Sequence, residues 1–193
     1  MIFETRLDNI PSAECYLLPS DADQMQAWEG RLGPRQTLRV GLVWSGNPKH
    51  RNDHNRSIPL PMFSELFSVD AKFVSLQKNP RPQDAEFLCE RPDIVDFTSD
   101  LPDLAATAAL ISCLDLVITV DTSVAHLAGA LGRPTWILLP YVADWRWLLN
   151  REDSPWYPTV RLFRQSETRE YGSVIERVRT ELIAAAEKWS AGK

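Results

Sequence analysis

Apolar runs of strand length recur along the chain from residue 38 onward. They lie at 38–44, 72–77, 93–97, 116–120, 134–140 and 159–163. The longer runs are nearly continuous, which is typical of strands that are covered on both faces. The pattern therefore predicts six strands of a buried sheet.

Helical patterns separate these strands, at 60–67, 81–91, 101–114, 123–132 and 171–189. Pro102 is expected in the first turn of its helix, where proline is tolerated, and Gly132 at the C′ position that ends the next one. Strands that alternate with helices are joined by right-handed crossovers. The predicted fold class is α/β, with a doubly wound, mostly parallel six-stranded sheet.

The first 37 residues lack a sustained period, apart from a short helix at 22–32 that Gly33 and Pro34 end. This segment has too little apolar material for a core of its own. We therefore expect two units: an N-terminal arm or linker at 1–37, and a Rossmann-like domain at 38–193 that ends in the helix 171–189.

Composition and charge bear on the partners and the cellular compartment of this protein. The net charge of −5 disfavours nucleic acid as a partner, because phosphate binding needs a basic face. Cys15, Cys89 and Cys113 have no metal-ligand spacing, which favours a reducing compartment and no structural zinc. The N-terminus does not resemble a signal peptide, and no run reaches the roughly 18 apolar residues of a membrane span. We expect a cytoplasmic protein without a membrane span.

Polar side chains follow the strand at 116–120, in the stretch LVITVDTSVAHLAGALG. Asp121, Thr122 and Ser123 end the strand, and His126 follows one helical turn later. Ligands of doubly wound sheets bind at the carboxyl ends of strands, and free amides at a helix N-terminus attract anions. These residues predict a diphosphate site that needs no metal. The alternative is that Thr122 or Ser123 only caps the helix while Asp121 complements its dipole.

A long polar loop, SGNPKHRNDHNRSIP, follows the first strand. Ser45, Gly46 and Asn47 begin it, and Gly46 allows close approach of a ligand to the backbone. Lys49 and Arg56 supply positive charge for phosphate oxygens. The alternative is a solvated surface loop without a ligand.

Several motifs of known chemistry are missing from this sequence. The loop is neither a GxGxxG turn nor a GxxxxGK[ST] loop, and no GxSxG elbow is present. A zinc site made of His50, His54 and His126 is disfavoured because no carboxylate or thiol stands at a regular spacing from them. We expect no metal site.

A segment rich in tryptophan and proline spans residues 138–158. Asp144 and Trp145 lie in it, and an aromatic face beside a polar group suits stacking on a sugar or a base. The alternative is a loop held by its own tryptophans and prolines, or a contact between domains. Gln77, Asp100 and Leu101 are expected at the same edge of the sheet.

Four segments together resemble one protein family: VGLVWSGNPKHRNDHNRSIPL, FVSLQ, DLAATAALISCLDLVITVDTSVAHLAGALGRPTWILLP and DWRWLLNREDSPWYPTVRLFRQ. The family is the GT-B glycosyltransferases of the heptosyltransferase type, and the likeness is to their C-terminal, donor-binding half. In particular, the segments resemble bacterial proteins in which this half is joined to tetratricopeptide repeats.

The resemblance implies a site for a nucleoside-diphosphate sugar, with no further cofactor and no metal. It implies that Arg56 contacts the diphosphate together with the start of its loop, and that residues 121–123 and His126 hold the diphosphate and the sugar. It also implies that Gln77 and the pair at 100–101 grip the ribose and base. Arg56, Asp121 and His126 are the candidate catalytic residues of a metal-independent, inverting transfer.

The sequence shows neither repeats nor a separate N-terminal Rossmann half. The resemblance therefore implies a donor domain that is incomplete without an acceptor domain; the acceptor, a glycan or a protein, is left open. Two alternatives remain. One is a non-catalytic interaction module with a relict nucleotide site, which would form homo-oligomers or bind a partner. The other is a protein similar to nucleotide-sugar epimerases.

Overall fold

The computed structural model describes residues 4, 6–7, 9–13, 15–18 and 22–192. Within this part of the chain the strands are β1 (Leu38–Val43), β2 (Ala71–Ser75), β3 (Ile94–Asp96), β4 (Leu116–Val120), β5 (Thr135–Leu139) and β6 (Val160–Arg164). The α-helices are α1 (Ala22–Leu32), α2 (Asp53–Arg56), α3 (Pro82–Cys89), α4 (Leu104–Ser112), α5 (Ser123–Ala130) and α6 (Gly172–Ala191). Four short 3₁₀ turns complete them: Leu60–Phe63, Leu66–Ser68, Thr98–Asp100 and Trp145–Trp147.

The strands form one sheet in the order β3-β2-β1-β4-β5-β6. Every pairing between these strands is parallel, which confirms the predicted doubly wound α/β sheet. An isolated antiparallel bridge joins Asp153 to Arg161 at the β6 edge. The strand order reverses between β1 and β4, and this reversal opens a crevice at the carboxyl ends of the strands.

Helices cover both faces of the sheet. One apolar layer holds α3, α6 and the 3₁₀ turns between β1 and β2, and the other holds α1, α4 and α5. β1 contributes Leu38, Val40 and Leu42 to the first layer and Val43 to the second. Alternate residues of a strand point to opposite faces, so a strand buried on both faces is mostly apolar, and Arg39 is the charged exception in β1.

The segment before β1 belongs to the second layer. Trp28 and Leu32 of α1 are buried there against α4. Glu29 of α1 also pairs with Arg39 of β1, whose guanidinium is almost fully buried, at 2.6 Å. The predicted arm begins at residue 1 and the predicted domain ends at residue 193. Residues 1–3 and 193 lie outside the described residues.

Some predicted element boundaries were wrong for identifiable reasons. Pro102 lies before α4 rather than in its first turn, because Asp103 caps the helix by accepting a hydrogen bond from the amide of Ala106 at 2.9 Å. The predicted helix at 60–67 is two 3₁₀ turns, and the one-turn helix α2 was not predicted. Gly132 has a φ of +66° just beyond α5, which confirms its position at the helix end.

Among the described helices, none combines the length and the apolar character that crossing a membrane requires.

Candidate functional site

Two cavities lie at the carboxyl ends of the strands, on either side of the first turn of α5. Arg56, Thr122 and Ser123 line both of them. The larger, of about 770 Å³, is here called the aromatic cavity, and its further lining includes Asp121, His126, Asp144, Trp145, Trp156 and Tyr157. The smaller, of about 530 Å³, is the loop cavity, and its further lining includes Ser45, Gly46, Asn47, Leu76, Gln77 and Lys78.

The first turn of α5 presents backbone donors to both cavities. Thr122 precedes the helix in an extended conformation, and no side chain caps the helix. The hydroxyl of Thr122 lies 3.2 Å from the hydroxyl of Thr119 instead of bonding to a helix amide. No described group accepts a hydrogen bond from the amide of Ser123 or of Val124. These amides and the helix dipole favour an anion at this position, and the capping alternative lacks its hydrogen bond.

Arg56 is held at the junction of the two cavities. Its Nη1 donates to the carbonyl oxygen of Asp121 at 2.7 Å, and its side chain is 14% exposed. Its Nε is buried without a hydrogen bond and lies 3.6 Å from a carboxylate oxygen of Asp53. A Cβ at Gly46 would lie only 2.6 Å from the Cζ atom of Arg56. The guanidinium therefore rests against the backbone of the first loop and points toward α5.

A hydrogen-bonded scaffold beneath Arg56 was missed by the sequence reasoning. The hydroxyl of Ser57 accepts from the amide of Gly46 at 2.9 Å and donates to Asp53 at 2.8 Å. Arg81, next to α3, pairs with the other oxygen of Asp53. The spacing of Asp53 and Arg56, three residues apart on one helical turn, is the sequence signal that could have indicated this pair.

Gln77 lines the loop cavity, but its side chain also holds the start of the first loop. Its Oε1 accepts from the amides of Trp44 at 3.1 Å and Ser45 at 2.9 Å. Its Nε2 donates to the carbonyl oxygen of Lys78 at 3.2 Å. Gln77 therefore fixes the end of β1 beside the cavity.

Three of the predicted site residues line neither cavity. Lys49 is exposed, and its amide donates to the side chain of Asn47 within the loop. Asp100 pairs with Arg31 of α1 at 2.5 Å. Leu101 is buried in the layer of α1 and α4. The structure thus brings together residues 45–47, Arg56, Gln77, 121–123, His126, Asp144 and Trp145, and leaves these three outside.

The loop after β5 forms the outer wall of the aromatic cavity. Asp144 accepts from the amide of Arg146 at 3.0 Å and pairs with its guanidinium at 2.9 Å. That guanidinium lies 4.9 Å above the ring of Trp145, which is 66% exposed. Trp156 meets Trp145 edge to face and donates to the carbonyl of Arg146 at 2.9 Å. These contacts hold two indole rings at the cavity mouth.

His126 lies deeper in this cavity. Its ring stacks on the buried ring of Trp147 with centroids 5.1 Å apart, and its Nδ1 is 3.0 Å from the hydroxyl of Tyr157. Burial lowers the pKa of His126, an effect that Arg146 reinforces and Asp121 opposes. His126 is therefore neutral at neutral pH.

Tyr157 is a further residue of this site that sequence reasoning missed. Its ring lies against Gly129, where an added Cβ would be 2.7 Å from the Tyr157 Cγ. The absence of a side chain at Gly129 thus accommodates this tyrosine. Burial raises the pKa of Tyr157, and the neighbouring phenol of Tyr16 adds to this effect, so the phenol of Tyr157 stays protonated. No sequence signal pairs it with His126, which is 31 residues earlier.

Asp121 offers an uncommitted carboxylate to the aromatic cavity. Its carbonyl oxygen is taken by Arg56, but no described group donates to its carboxylate. Its charge raises the pKa of Tyr171 in addition to the larger effect of burial there. Among the described residues, no cluster of three His, Cys, Asp or Glu side chains is arranged to hold a metal ion.

Comparison with known families and proteins adds an independent observation. Residues 100–139 match the model of glycosyltransferase family 9 (heptosyltransferase). The matched region contains α4, β4, α5 and β5, so it includes the first turn of α5 and residues 121–126. Protein FlbA of Caulobacter vibrioides is 30% identical to this chain over 173 residues, which are 84% of this chain and 27% of FlbA.

Two solved structures share the fold of most of this chain. The ADP-heptose LPS heptosyltransferase II of E. coli superposes with a TM-score of 0.56 at 16% identity, over 88% of this chain and 53% of that one. A glycosyl transferase family 9 protein of Veillonella parvula superposes with a TM-score of 0.55 at 16% identity, over 89% and 51%. The chain spans about a quarter of FlbA and about half of each solved chain. At this identity the two structures show the shared fold.

Proposed function

We propose that this chain is the donor-binding part of a glycosyltransferase and that it binds a nucleoside-diphosphate sugar. The observation that carries the proposal is the position of Arg56, which lies with Thr122 and Ser123 between two cavities and bonds to the carbonyl of Asp121 at 2.7 Å. The match of residues 100–139 to glycosyltransferase family 9 supports it.

The proposed diphosphate site lies between Arg56 and the first turn of α5. The amides of Ser123 and Val124 are available donors on one side. On the other side, Arg56 uses Nη1 for Asp121 and has Nε buried beside Asp53, so its Nη2 is the nitrogen that can bind phosphate oxygens. Hydrogen bonds to charged groups contribute about 1.5–3 kcal/mol each, so the amides and Arg56 together favour the binding of an anion.

The two cavities suit the two ends of such a donor. The loop cavity has apolar lining from Val43, Leu76 and Val124 and polar groups at Lys78 and Asn79, which suits a nucleoside. The aromatic cavity combines indole rings with the free carboxylate of Asp121. Aromatic faces pack against the C–H faces of a sugar while a carboxylate accepts its hydroxyl groups, so we place the sugar there.

The proposed reaction is an inverting transfer that uses no metal. The acceptor hydroxyl attacks the anomeric carbon and loses its proton to a base, while the bond from that carbon to the diphosphate oxygen breaks. Negative charge grows on the departing nucleoside diphosphate, where Arg56 and the amides of α5 stabilise it. We propose that the acceptor is bound by a further part of the full protein, since the aligned region is about half of each solved neighbour.

We also propose a cytoplasmic setting and an association with tetratricopeptide repeats. The cysteines of the chain are free, two of them exposed, which supports a reducing compartment. The proposed repeat association rests on the sequence resemblance and on the much greater length of FlbA.

Calorimetric titration of the chain with ADP, UDP and GDP in the presence of EDTA tests the proposal. We expect at least one of them to bind, and Arg56→Ala to weaken its binding about 10- to 100-fold. The matched control is Arg51→Ala, which removes the same charge from an exposed position in the same loop and lines neither cavity. Failure of all three nucleotides to bind, or equal losses in the two variants, would contradict the proposed site.

A further inference from the structure

We propose that Tyr157 is a positioning residue that keeps His126 in the tautomer with its proton on Nε2. The imidazole then donates a hydrogen bond to a phosphate oxygen of the ligand and does not serve as a general base. This inference deepens the proposed function and rests on it for the identity of the ligand.

The ring of His126 is fixed on two sides. It stacks on Trp147 at 5.1 Å with an interplanar angle of 16°, and its Nδ1 is 3.0 Å from the Tyr157 hydroxyl. No described group bonds to Nε2, and His126 lines the aromatic cavity together with Thr122 and Ser123. With Nδ1 committed to Tyr157, Nε2 is the ring atom available to a ligand.

The direction of the bond between Tyr157 and His126 decides which nitrogen carries the proton. The only described hydrogen-bond partner of the Tyr157 hydroxyl is Nδ1 of His126, since Tyr16 contacts Tyr157 by ring stacking, with centroids 6.1 Å apart. An imidazole nitrogen is a better acceptor than a phenol oxygen, and a phenol is a stronger acid than a neutral imidazole. The favoured arrangement is therefore Tyr157 donating its hydroxyl proton to Nδ1. In this arrangement the proton of neutral His126 is on Nε2.

Burial supports the same protonation states. It raises the pKa of Tyr157, so the phenol keeps the proton that it donates. It lowers the pKa of His126, against the charges of Asp121 and Asp144 and together with that of Arg146. A neutral imidazole with a fixed N–H is a directed hydrogen-bond donor, and its orientation by a second residue is the usual way in which a histidine tautomer is set.

Tyr157 itself is held in place by close packing. Its ring lies on Gly129, one turn after His126 on α5, and near the rings of Trp147 and Tyr16. Tyr157→Phe therefore keeps the packing of the ring and removes only the hydroxyl. This makes the substitution a clean test of the hydrogen bond.

The first experiment is ¹⁵N NMR of the histidine side chains in the ligand-free chain at neutral pH, with the His126 signals assigned by their loss in His126→Gln. We expect protonated Nε2 and unprotonated Nδ1 in the wild type, and a mixture of tautomers in Tyr157→Phe. A proton on Nδ1 in the wild type would overturn the inference, as would an unchanged spectrum in Tyr157→Phe. Packing alone would not move this signal.

The second experiment compares His126→Gln with His126→Ala in nucleoside diphosphate binding. The amide nitrogen of Gln can replace the Nε2 donor but cannot take up a proton. We expect the Gln variant to bind within about threefold of the wild type and the Ala variant to bind about tenfold more weakly. Equal losses in both variants would count against the donor role.

The two proposals fail in different ways. If no nucleoside diphosphate binds to the wild type, the proposed function is wrong, whereas the tautomer measured without ligand still stands or falls by itself. If a nucleotide binds and Arg56→Ala weakens it, but the proton of His126 is on Nδ1, only the present inference is wrong.

Discussion

Gly46 and Gly129 are the two residues at which a missing side chain shapes the site. The guanidinium of Arg56 occupies the space next to Gly46, and the ring of Tyr157 occupies the space next to Gly129. In both cases the close neighbour carries a group that the proposed mechanism uses. An added Cβ would lie 2.6 Å from Cζ of Arg56 at Gly46 and 2.7 Å from Cγ of Tyr157 at Gly129, which is closer than van der Waals contact.

We predict that Gly46→Ala weakens nucleoside diphosphate binding about tenfold or more, because it displaces the guanidinium from the carbonyl of Asp121. The free energy of unfolding should change by less than about 1 kcal/mol, because the group in the way is the end of a flexible side chain. Calorimetry and urea denaturation measure the two effects. Gly30→Ala is the control, since nothing lies within 4 Å of the added Cβ. Unchanged binding in Gly46→Ala would contradict the prediction.

We predict that His126 makes stability depend on pH. Its pKa in the folded chain lies below 6.5, the ordinary value, because the ring is buried. Between these two values the unfolded chain binds more protons, so the free energy of unfolding falls as the pH falls through this window. Urea denaturation between about pH 5 and pH 8 should show a weaker dependence in His126→Gln than in the wild type. An identical dependence in both proteins would contradict the prediction.

The sequence indicates charged and polar residues of the site better than it indicates their partners. Arg56 could be found from its charge and its place in a loop after a buried strand. The partners of Gln77 are backbone amides, which no side-chain pattern reveals. Asp100 pairs with Arg31, 69 residues earlier, and Tyr157 contacts His126 across 31 residues. Such pairs arise from tertiary packing, so they could not be predicted from local spacing.

At the scale of elements, apolar runs located every strand, whereas helix ends depended on individual hydrogen bonds. β4 was predicted with its observed bounds because each of its residues is buried. The start of α4 was misplaced because the helix is capped by Asp103, so Pro102 lies before the helix and not in its first turn. The helix predicted at 60–67 is two 3₁₀ turns, and Pro61 does not account for this, because it lies in the first turn, where proline is tolerated.

The cap of α4 provides a prediction at this scale. Asp103→Ala should lower the free energy of unfolding by about 1 kcal/mol, because the amide of Ala106 loses its acceptor. Asp103→Asn should stay close to the wild type, because its side-chain oxygen can accept the same bond. Urea denaturation of the three proteins measures this. Equal stability of the Ala and Asn variants would show that the cap contributes nothing.

At the scale of the whole molecule, the parallel sheet follows from the alternation of strands and helices, but the place of α1 does not. Arg39 lies in an otherwise apolar strand, and its side chain is almost fully buried. Its guanidinium donates to the carboxylate of Glu29, which lies in α1, and to the carbonyl oxygen of Gly33, which follows that helix. A buried guanidinium without its carboxylate is costly, so α1 and β1 stabilise each other.

We therefore predict that Trp28 of α1 is as important to stability as residues of the sheet itself. Its ring is 6% exposed, packs against Phe97 at 5.3 Å and carries the guanidinium of Arg31 at 4.5 Å. Trp28→Ala should lower the free energy of unfolding by about 3 kcal/mol or more, through lost burial and the cavity that remains. Leu18→Ala, at an 83% exposed position of the same N-terminal segment, should change it by less than about 0.5 kcal/mol. Similar small changes in both variants, measured by urea denaturation, would mean that α1 is not part of the cooperative core.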